Sequence, residues 1–398
     1  MLKIQHHKVL LLHGLIVVAL VSAGAFWLWW FSHSIVEVKN LSNEQPGQEV
    51  SRVVSIASDV LFTGNSFWGR YTNDAAQKTK EPYKFPFARL HEFKRKNYDA
   101  WVTGLECPTT EKGIAMTAAE MEAALSFNCD PNYLSEFAKW FDIVTLANNH
   151  TDNMGADGFA ETKTALKKNG IQYFGHYDPD VLDEQCKVVL LPVKVRYDTK
   201  PDAKEKLPIA ACGYHGVFKI PSSESVAEIT TYSKLMPVIV FPHAGAEYKA
   251  GPDEIKTTMY RAMIDAGADM IIGDHPHWIQ NTEAYKGKLI VYSMGNFMFD
   301  QQFNTEVTRS AAIKMQLTVQ DSSRLDSWIE LGRQCQLHAT DCLSTIRAQH
   351  LPKYTSSYRF DFIPVSNKGY QTHPAPELNA GIEARLNWQA TMTALGQK

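Results

Sequence analysis

Asp269-Met-Ile-Ile-Gly-Asp-His-Pro-His277 is a short β-prone apolar run that stops in polar groups able to bind a metal. Two other stretches are built alike, Pro237-Val-Ile-Val-Phe-Pro-His243 and Asp142-Ile-Val-Thr-Leu-Ala-Asn-Asn-His150. Apolar runs of this length read as buried parallel strands, because a strand covered on both faces has no polar side to show. Parallel α/β sheets hold their ligands just beyond the carboxyl ends of their strands. Three strands ending in imidazoles and amides therefore predict one polar site.

Parallel pairing needs crossovers, and the sequence supplies them. Thr151 and Asp152 can cap a helix over residues 156 to 169, with Ala165 and Leu166 on its apolar face and Gly170 as its stop. Pro252 and Asp253 open a second helix, in which Ile255, Met259, Met263 and Ala266 fall at helical spacing before Gly267 ends it. That βαβ unit delivers His243, then His275 and His277, to the same rim. Upstream, residues 53 to 63 read as the first strand, ending at Gly64-Asn65, and residues 100 to 104 as another, ending at Leu105-Glu106.

The 398 residues can bury one large domain or two modest ones. A formal net charge of -3, with no basic run beyond Lys94-Arg-Lys96, argues against a nucleic-acid partner. Residues 10 to 31 are almost continuously apolar after a basic start at Lys3 and Lys8, and about twenty such residues span a bilayer. Basic residues keep that end cytoplasmic, while Trp27, Trp29 and Trp30 suit the far interface. The expectation is a single-pass protein of the cell membrane with its C-terminal domain extracytoplasmic. Ala23-Gly-Ala25 leaves a cleaved signal peptide as the alternative. The organisation expected is an anchor over residues 1–32, a polar linker over 33–50, a domain over 51–340 and a packed C-terminal extension over 341–398.

All six cysteines follow the apolar segment, consistent with an oxidising compartment. Proximity along the chain suggests Cys107 with Cys129, Cys186 with Cys212 and Cys335 with Cys342, the alternative being free buried thiols. None has zinc-type CxxC spacing.

The polar groups at the strand ends are Asn65, Glu106, Asn149, His150, His243, His275 and His277. Carboxylate, amide oxygen and imidazole together suit manganese, zinc or iron better than calcium or magnesium. The His-Pro-His triplet holds two imidazoles close on a stiff turn.

These residues resemble the capsule-synthesis proteins of the CapA or poly-γ-glutamate type, within the calcineurin-like metallophosphoesterase superfamily. The resemblance covers roughly residues 53 to 315. It is carried by Phe62-Thr-Gly-Asn-Ser-Phe-Trp-Gly-Arg70, Gly104-Leu-Glu106, Leu146-Ala-Asn-Asn-His150 with Gly155, Pro242-His-Ala-Gly-Ala-Glu-Tyr248, Gly273-Asp-His-Pro-His277 and Tyr292-Ser-Met-Gly-Asn-Phe297.

It implies a four-layer α/β/β/α sandwich of metallophosphoesterase type. Glu106 takes the place of a bridging carboxylate, Asn149 ligates through its amide oxygen, His243 and His275 complete that metal's shell, and His277 reaches toward a second. His150 then serves a leaving oxygen or the developing charge. Arg70 is expected to hold an anionic substrate group or to form a structural ion pair. Glu247, Asp274, Ser293 and Asn296 are expected to support the ligands or face substrate, Asp274 by orienting an imidazole unless it is a solvated turn residue. Trp68, Tyr248 and Trp278 either wall the cleft or pack.

One departure matters: the family usually has Gly-Asp where this chain has Gly64-Asn65. Glu106 is then the one acidic ligand, so the expectation is one tight divalent metal and a weak second, unless Asp59 substitutes. Participation in capsule or poly-γ-glutamate synthesis follows from the family. The chain is either a metal-dependent hydrolase of a phosphoester or amide in a cell-surface polymer, or a non-catalytic subunit guiding an anionic polymer or its precursor through a capsule synthase and export complex.

Overall fold

The computed structural model describes residues 51–111, 116–320, 324–337 and 342–397. The expected membrane segment and linker lie outside the described residues, and no helix among the described residues is long and apolar enough to cross a membrane.

Strand β1 (Val53–Ser66) organises the fold. Its first half alternates between buried and less buried positions, and from Val60 onward every residue is buried. That change of pattern marks a change of neighbours. Helix α1 (Arg70–Gln77) leads from it to β2 (Ala100–Leu105), which is followed by β3 (Ile143–Thr145), α2 (Gly155–Lys168) and β4 (Gln172–Phe174). β1, β2, β3 and β4 pair in parallel in that order.

The first half of β1 instead pairs antiparallel with β5 (Cys186–Tyr197), which pairs antiparallel with β6 (Ala203–Gly216). After α3 (Ser223–Ser233) come β7 (Val238–Ala244), α4 (Glu254–Asp265) and β8 (Met270–Ile272), and β6, β7 and β8 run parallel. β9 (Ile279–Tyr285) and β10 (Lys288–Met294) extend this arm, with β10 parallel to β8. β11 (Asn296–Met298) returns to lie parallel to the end of β1. β12 (Arg309–Gln320) covers the other edge of β1, and after α5 (Leu325–Leu337) β13 (Ser356–Ser366) and β14 (His373–Pro374) extend that side. The chain is thus mixed α/β and rich in sheet, with its strands forking at β1.

Apolar residues fill the fork. Phe62, Val102, Ile143 and Phe174 of one arm face Val189, Leu191, Ile209, Ile239 and Phe241 of the other around a void of about 20 Å³, close to the packing expected where sheets meet face to face. On the outer side of β2 and β3, Trp101 and Val144 pack with Phe137, Phe141, Phe159 and Leu166. On the outer side of β6 and β7 lie Tyr232 of α3, Met259 and Met263 of α4, and Trp328 of α5. Truncating a side chain such as Trp101 to alanine costs about 3–5 kcal/mol.

The described residues correct several local expectations. β1 runs three residues past its expected end, because Asn65 pairs with both Gly104 and Asn296. Thr151 and Asp152 do not cap α2, which starts at Gly155 with Met154 before it. The Thr151 hydroxyl instead donates to the Leu146 carbonyl, and residues 150 to 155 form tight turns. Ile255 is 62% exposed despite its helical register, in the first turn of α4. All three suggested disulfides are present, Cys107–Cys129, Cys186–Cys212 and Cys335–Cys342.

Candidate metal centre and cleft

The strands deliver their polar ends to one place. His243 is the penultimate residue of β7, and Asp274, just beyond β8, bridges to it. Glu106 follows β2, and Asn148, Asn149 and His150 follow β3. The loop after β8 is bent hard: His275 has φ 90° and His277 φ 60°. Side chains at positive φ are strained by about 1–3 kcal/mol each. Arg70 (φ 43°) and Tyr248 (φ 57°), nearby in the cleft wall, share that strain. Such clustering is typical of functional sites.

His243 Nδ1 is 2.6 Å from Asp274 Oδ1. With that N–H donated to the carboxylate, Nε2 turns its lone pair toward Asn149 Oδ1 at 2.7 Å, and His275 Nδ1 approaches the same nitrogen at 3.1 Å. An imidazole lone pair and an amide oxygen at that separation need a proton or a cation between them. Glu106 is fully buried and neither carboxylate oxygen has a hydrogen-bond partner. A carboxylate left so is costly unless a positive charge meets it. His277 Nδ1 is 2.8 Å from Asn296 Oδ1 and 3.2 Å from the Asn65 amide nitrogen, which leaves Nε2 facing Glu106 Oε1 at 3.7 Å. Among the described residues no group of three or more His, Cys, Asp and Glu side chains is gathered to hold a metal by itself. The fit therefore depends also on the amide oxygen of Asn149, and with it the donor chemistry suits a divalent cation of the zinc, manganese or iron type.

Burial dominates the electrostatics. It pushes Glu106 well above the usual carboxylate range, with Asp274 and Glu247 adding to the effect, and raises Asp274 likewise. It pushes His243 and His275 well below the ordinary imidazole value and His277 down to about 3. Burial disfavours the charged form of both His277 and Glu106, so their 3.7 Å approach is not a strong ion pair.

His150 stands at the mouth. Its Nδ1 is 2.9 Å from Asn153 Oδ1, its backbone N–H donates to Asn148 Oδ1, and its ring lies 3.9 Å from that of Phe127. Burial lowers its pKa to about 4. With Nδ1–H donated to Asn153, Nε2 is free to accept a proton. Arg70 is clamped by two hydrogen bonds to Asp300, at 2.9 and 2.6 Å, and lies 4.1 Å over the Phe127 ring. Glu247 Oε1 is 4.0 Å from His277 Nε2. A cleft of about 810 Å³ opens above, reaching Asn149, His150, His277, Arg70 and Glu247.

Other expected residues sit further back. Ser293 accepts from the Gly295 N–H, and Asn296 donates to Gln301 and the Val307 carbonyl. Asp59 binds Lys194 and Gln316 earlier in β1, away from the cluster, so it does not replace the missing acid. Trp68 is buried against Phe137 and Tyr133, Trp278 stands beside Tyr248, and of the three aromatics Tyr248 is the one lining the cleft.

The sequence reading missed Asn148, Asn153, Asp300, Phe127 and His215. Asn153 follows His150 by one turn, and Asp300 closes the segment that begins at Gly295, so both were within reach. His215 ends the buried run of β6 as His243 ends β7, and the two are register partners. Phe127 has no local signal, because a disulfide brings its loop to the site.

The model of the bacterial capsule synthesis protein family PGA_cap matches residues 59–301. The chain is 27% identical over 289 residues to the PGA biosynthesis protein CapA of Bacillus subtilis (strain 168), across 70% of this chain and 73% of that protein. It is 32% identical over 193 residues to the capsule biosynthesis protein CapA of Bacillus anthracis, across 47% and 46%. A probable polyglutamine synthesis accessory protein of Mycobacterium tuberculosis is 28% identical over 196 residues, across 45% and 51%. With the second half of β1 and every strand from β2 to the one after the His-Pro-His turn inside the matched region, the chain belongs to the PGA_cap family of bacterial capsule synthesis proteins.

Proposed function

We propose that this protein is a metal-dependent hydrolase acting in cell-surface polymer biosynthesis, on a phosphoester or an amide. It is held at the outer face of the cell membrane by its N-terminal segment, and its fold is a four-layer α/β/β/α sandwich. The relatives named for capsule, PGA and polyglutamine synthesis support the process. The observation that carries the reaction is Glu106, a buried carboxylate without a partner beside unprotonated imidazole and amide atoms. Glu106, Asn149, His243 and His275 hold one divalent cation, and His277 with Asn65 forms a weaker second position. A bound cation polarises the scissile group and makes water acidic.

The chain's own groups do the rest. Asp274 fixes the His243 ring. His150, neutral and anchored by Asn153, takes a proton at Nε2 and returns it to the leaving group. Arg70, already bound to Asp300, shapes the cleft wall and leaves its remaining N–H groups for substrate.

A second reading, a non-catalytic subunit of a synthase and export complex, draws on Asn65, where a neutral amide stands in place of an acidic ligand. The test is elemental analysis of the full chain together with a phosphoester and amide substrate screen, in the native sequence and as His243→Ala. Metal and turnover lost together support the hydrolase. Metal bound without turnover on any substrate, with polymer display in cells intact in His150→Ala, supports the subunit.

A further inference from the structure

The second cation position lacks an acid at residue 65, and the loop after β7 carries one. Glu247 Oε1 lies 4.0 Å from His277 Nε2, and Glu106 Oε1 lies 3.7 Å from the same nitrogen. Asn65 and Asn296 meet that ring at its other nitrogen. With Nδ1–H donated to Asn296, the lone pair of His277 is on Nε2 and faces two carboxyl groups. Both separations exceed a hydrogen bond, so no shared proton joins the three. They come closer to the shell of a cation, since donors about 2.1 Å from a zinc-type ion stand about 3.4 Å apart in a tetrahedral arrangement. Glu106 is aimed at this point with both oxygens buried and without a hydrogen-bond partner.

Among the described residues the three groups are not closed into a cluster. Glu247 is the member able to close it, with a side chain 42% exposed against 1% for Glu106 and 4% for His277. Among the described residues it has no lysine or arginine as an ion-pair partner. The backbone beneath it is fixed. The Tyr248 N–H donates to the Pro276 carbonyl at 2.9 Å, inside the His-Pro-His turn, and the Tyr248 ring stacks on His277 at 5.7 Å. Gln280 donates to the Lys249 and Gly251 carbonyls. Gly245, at φ 99°, turns the chain into this loop where a Cβ would strike the Lys256 side chain. A pinned loop with one free carboxylate at its crest is suited to closing on an ion.

We infer that Glu247 is a ligand of the second cation position, supplying beside Glu106 the negative charge that Asn65 does not bring. The inference rests on reading the cluster as a metal centre. Two dications held close together need more than one carboxylate to balance them. Because Glu247 borders the cleft, its position is the one open to solvent, and its ion is the exchangeable one.

The test is titration of the full chain in detergent, stripped with chelator, with manganese(II) followed by electron paramagnetic resonance. The wild type is expected to take one ion tightly and a second weakly, the second bringing the coupled signal of two ions about 3.5–4 Å apart. Glu247→Gln keeps the shape and removes the charge. It is expected to bind the first ion as the wild type does and the second about 100-fold more weakly, the top of the range for losing even an outer partner of a ligand. The coupled signal should then be absent at concentrations that fill the wild type. Glu247→Asp, which keeps the charge on a shorter arm, should fall between the two. An unchanged second affinity in Glu247→Gln, or a wild type that takes one ion and no second, overturns the assignment and leaves the buried metal centre standing. A wild type that binds no manganese overturns both.

Discussion

Asp274 Oδ1 lies 2.6 Å from His243 Nδ1, with both side chains 1% exposed, and Gly104 makes room for the carboxylate. A Cβ at position 104 would fall on Asp274 Oδ2, so β2 carries a glycine where it passes behind the pair. A carboxylate bound to the far nitrogen of a ligating histidine fixes the ring and raises its basicity. Asp274→Ala is expected to lower metal affinity by about 10–100-fold, and Gly104→Ala to do the same while leaving the carboxylate in the chain. Chelator competition measures both, and wild-type affinity in Gly104→Ala would show that the pair needs no such support.

Asn65 makes the second position weak. Its amide nitrogen points at His277 Nδ1 and its oxygen accepts from the His275 N–H at 3.4 Å, so it binds both imidazole segments without bringing charge. Asn65→Asp keeps the shape and adds a carboxylate beside His277. The expected outcome is metal content rising from about one toward two per chain, read by elemental analysis. An unchanged content would place the metals elsewhere.

The parallel strands and the converging histidines were legible because each is written in a few consecutive residues: an apolar run and its polar stop. Asp300 and Phe127 were not, because their roles depend on distant partners. Asp300 matters through Arg70, and Phe127 lies against His150 in a loop held by the Cys107–Cys129 bridge and by its own N–H donated to Asn153. The fork at β1 was also hidden. One strand of 14 residues serves two sets of neighbours, and its burial pattern shows the change only once those neighbours are known. The start of α2 was misread for the opposite reason, since Thr151 is a good local cap that found a better partner in the Leu146 carbonyl.

Cys107 adjoins Glu106 and Cys129 follows Phe127 by two residues, so that bridge ties the carboxylate loop to the ring packed against His150. Closing a loop of 22 residues limits the unfolded chain by about 3 kcal/mol in the chain-entropy account. The Cys186–Cys212 bridge, 26 apart and joining register partners in β5 and β6, has a similar value. Cys107→Ser with Cys129→Ser and Cys186→Ser with Cys212→Ser should therefore lose similar stability in urea titrations. The first pair alone should also weaken metal binding. Equal effects on metal binding would mean that the bridge near the site positions nothing.

Lys256 is buried in α4, donates from Nζ to Gln280 Oε1 at 3.0 Å, and is pushed by burial down to about 7 from an ordinary 10.5. Below pH 7 the folded and unfolded chains both carry this proton, and the fold bears the cost of a buried charge. Between about 7 and 10.5 the unfolded chain holds the proton and the folded chain has released it, so this group makes stability rise with pH across that window. Lys256→Met removes the slope. It also strands the Gln280 oxygen, a cost of roughly 1–3 kcal/mol that does not vary with pH. Urea unfolding of both forms from pH 6 to pH 10 should show the stability of Lys256→Met relative to wild type greatest at the acid end and falling steadily above neutrality. Parallel profiles would mean that Lys256 keeps its charge in the fold, and that Gln280 and the Asp274 carboxyl together solvate it.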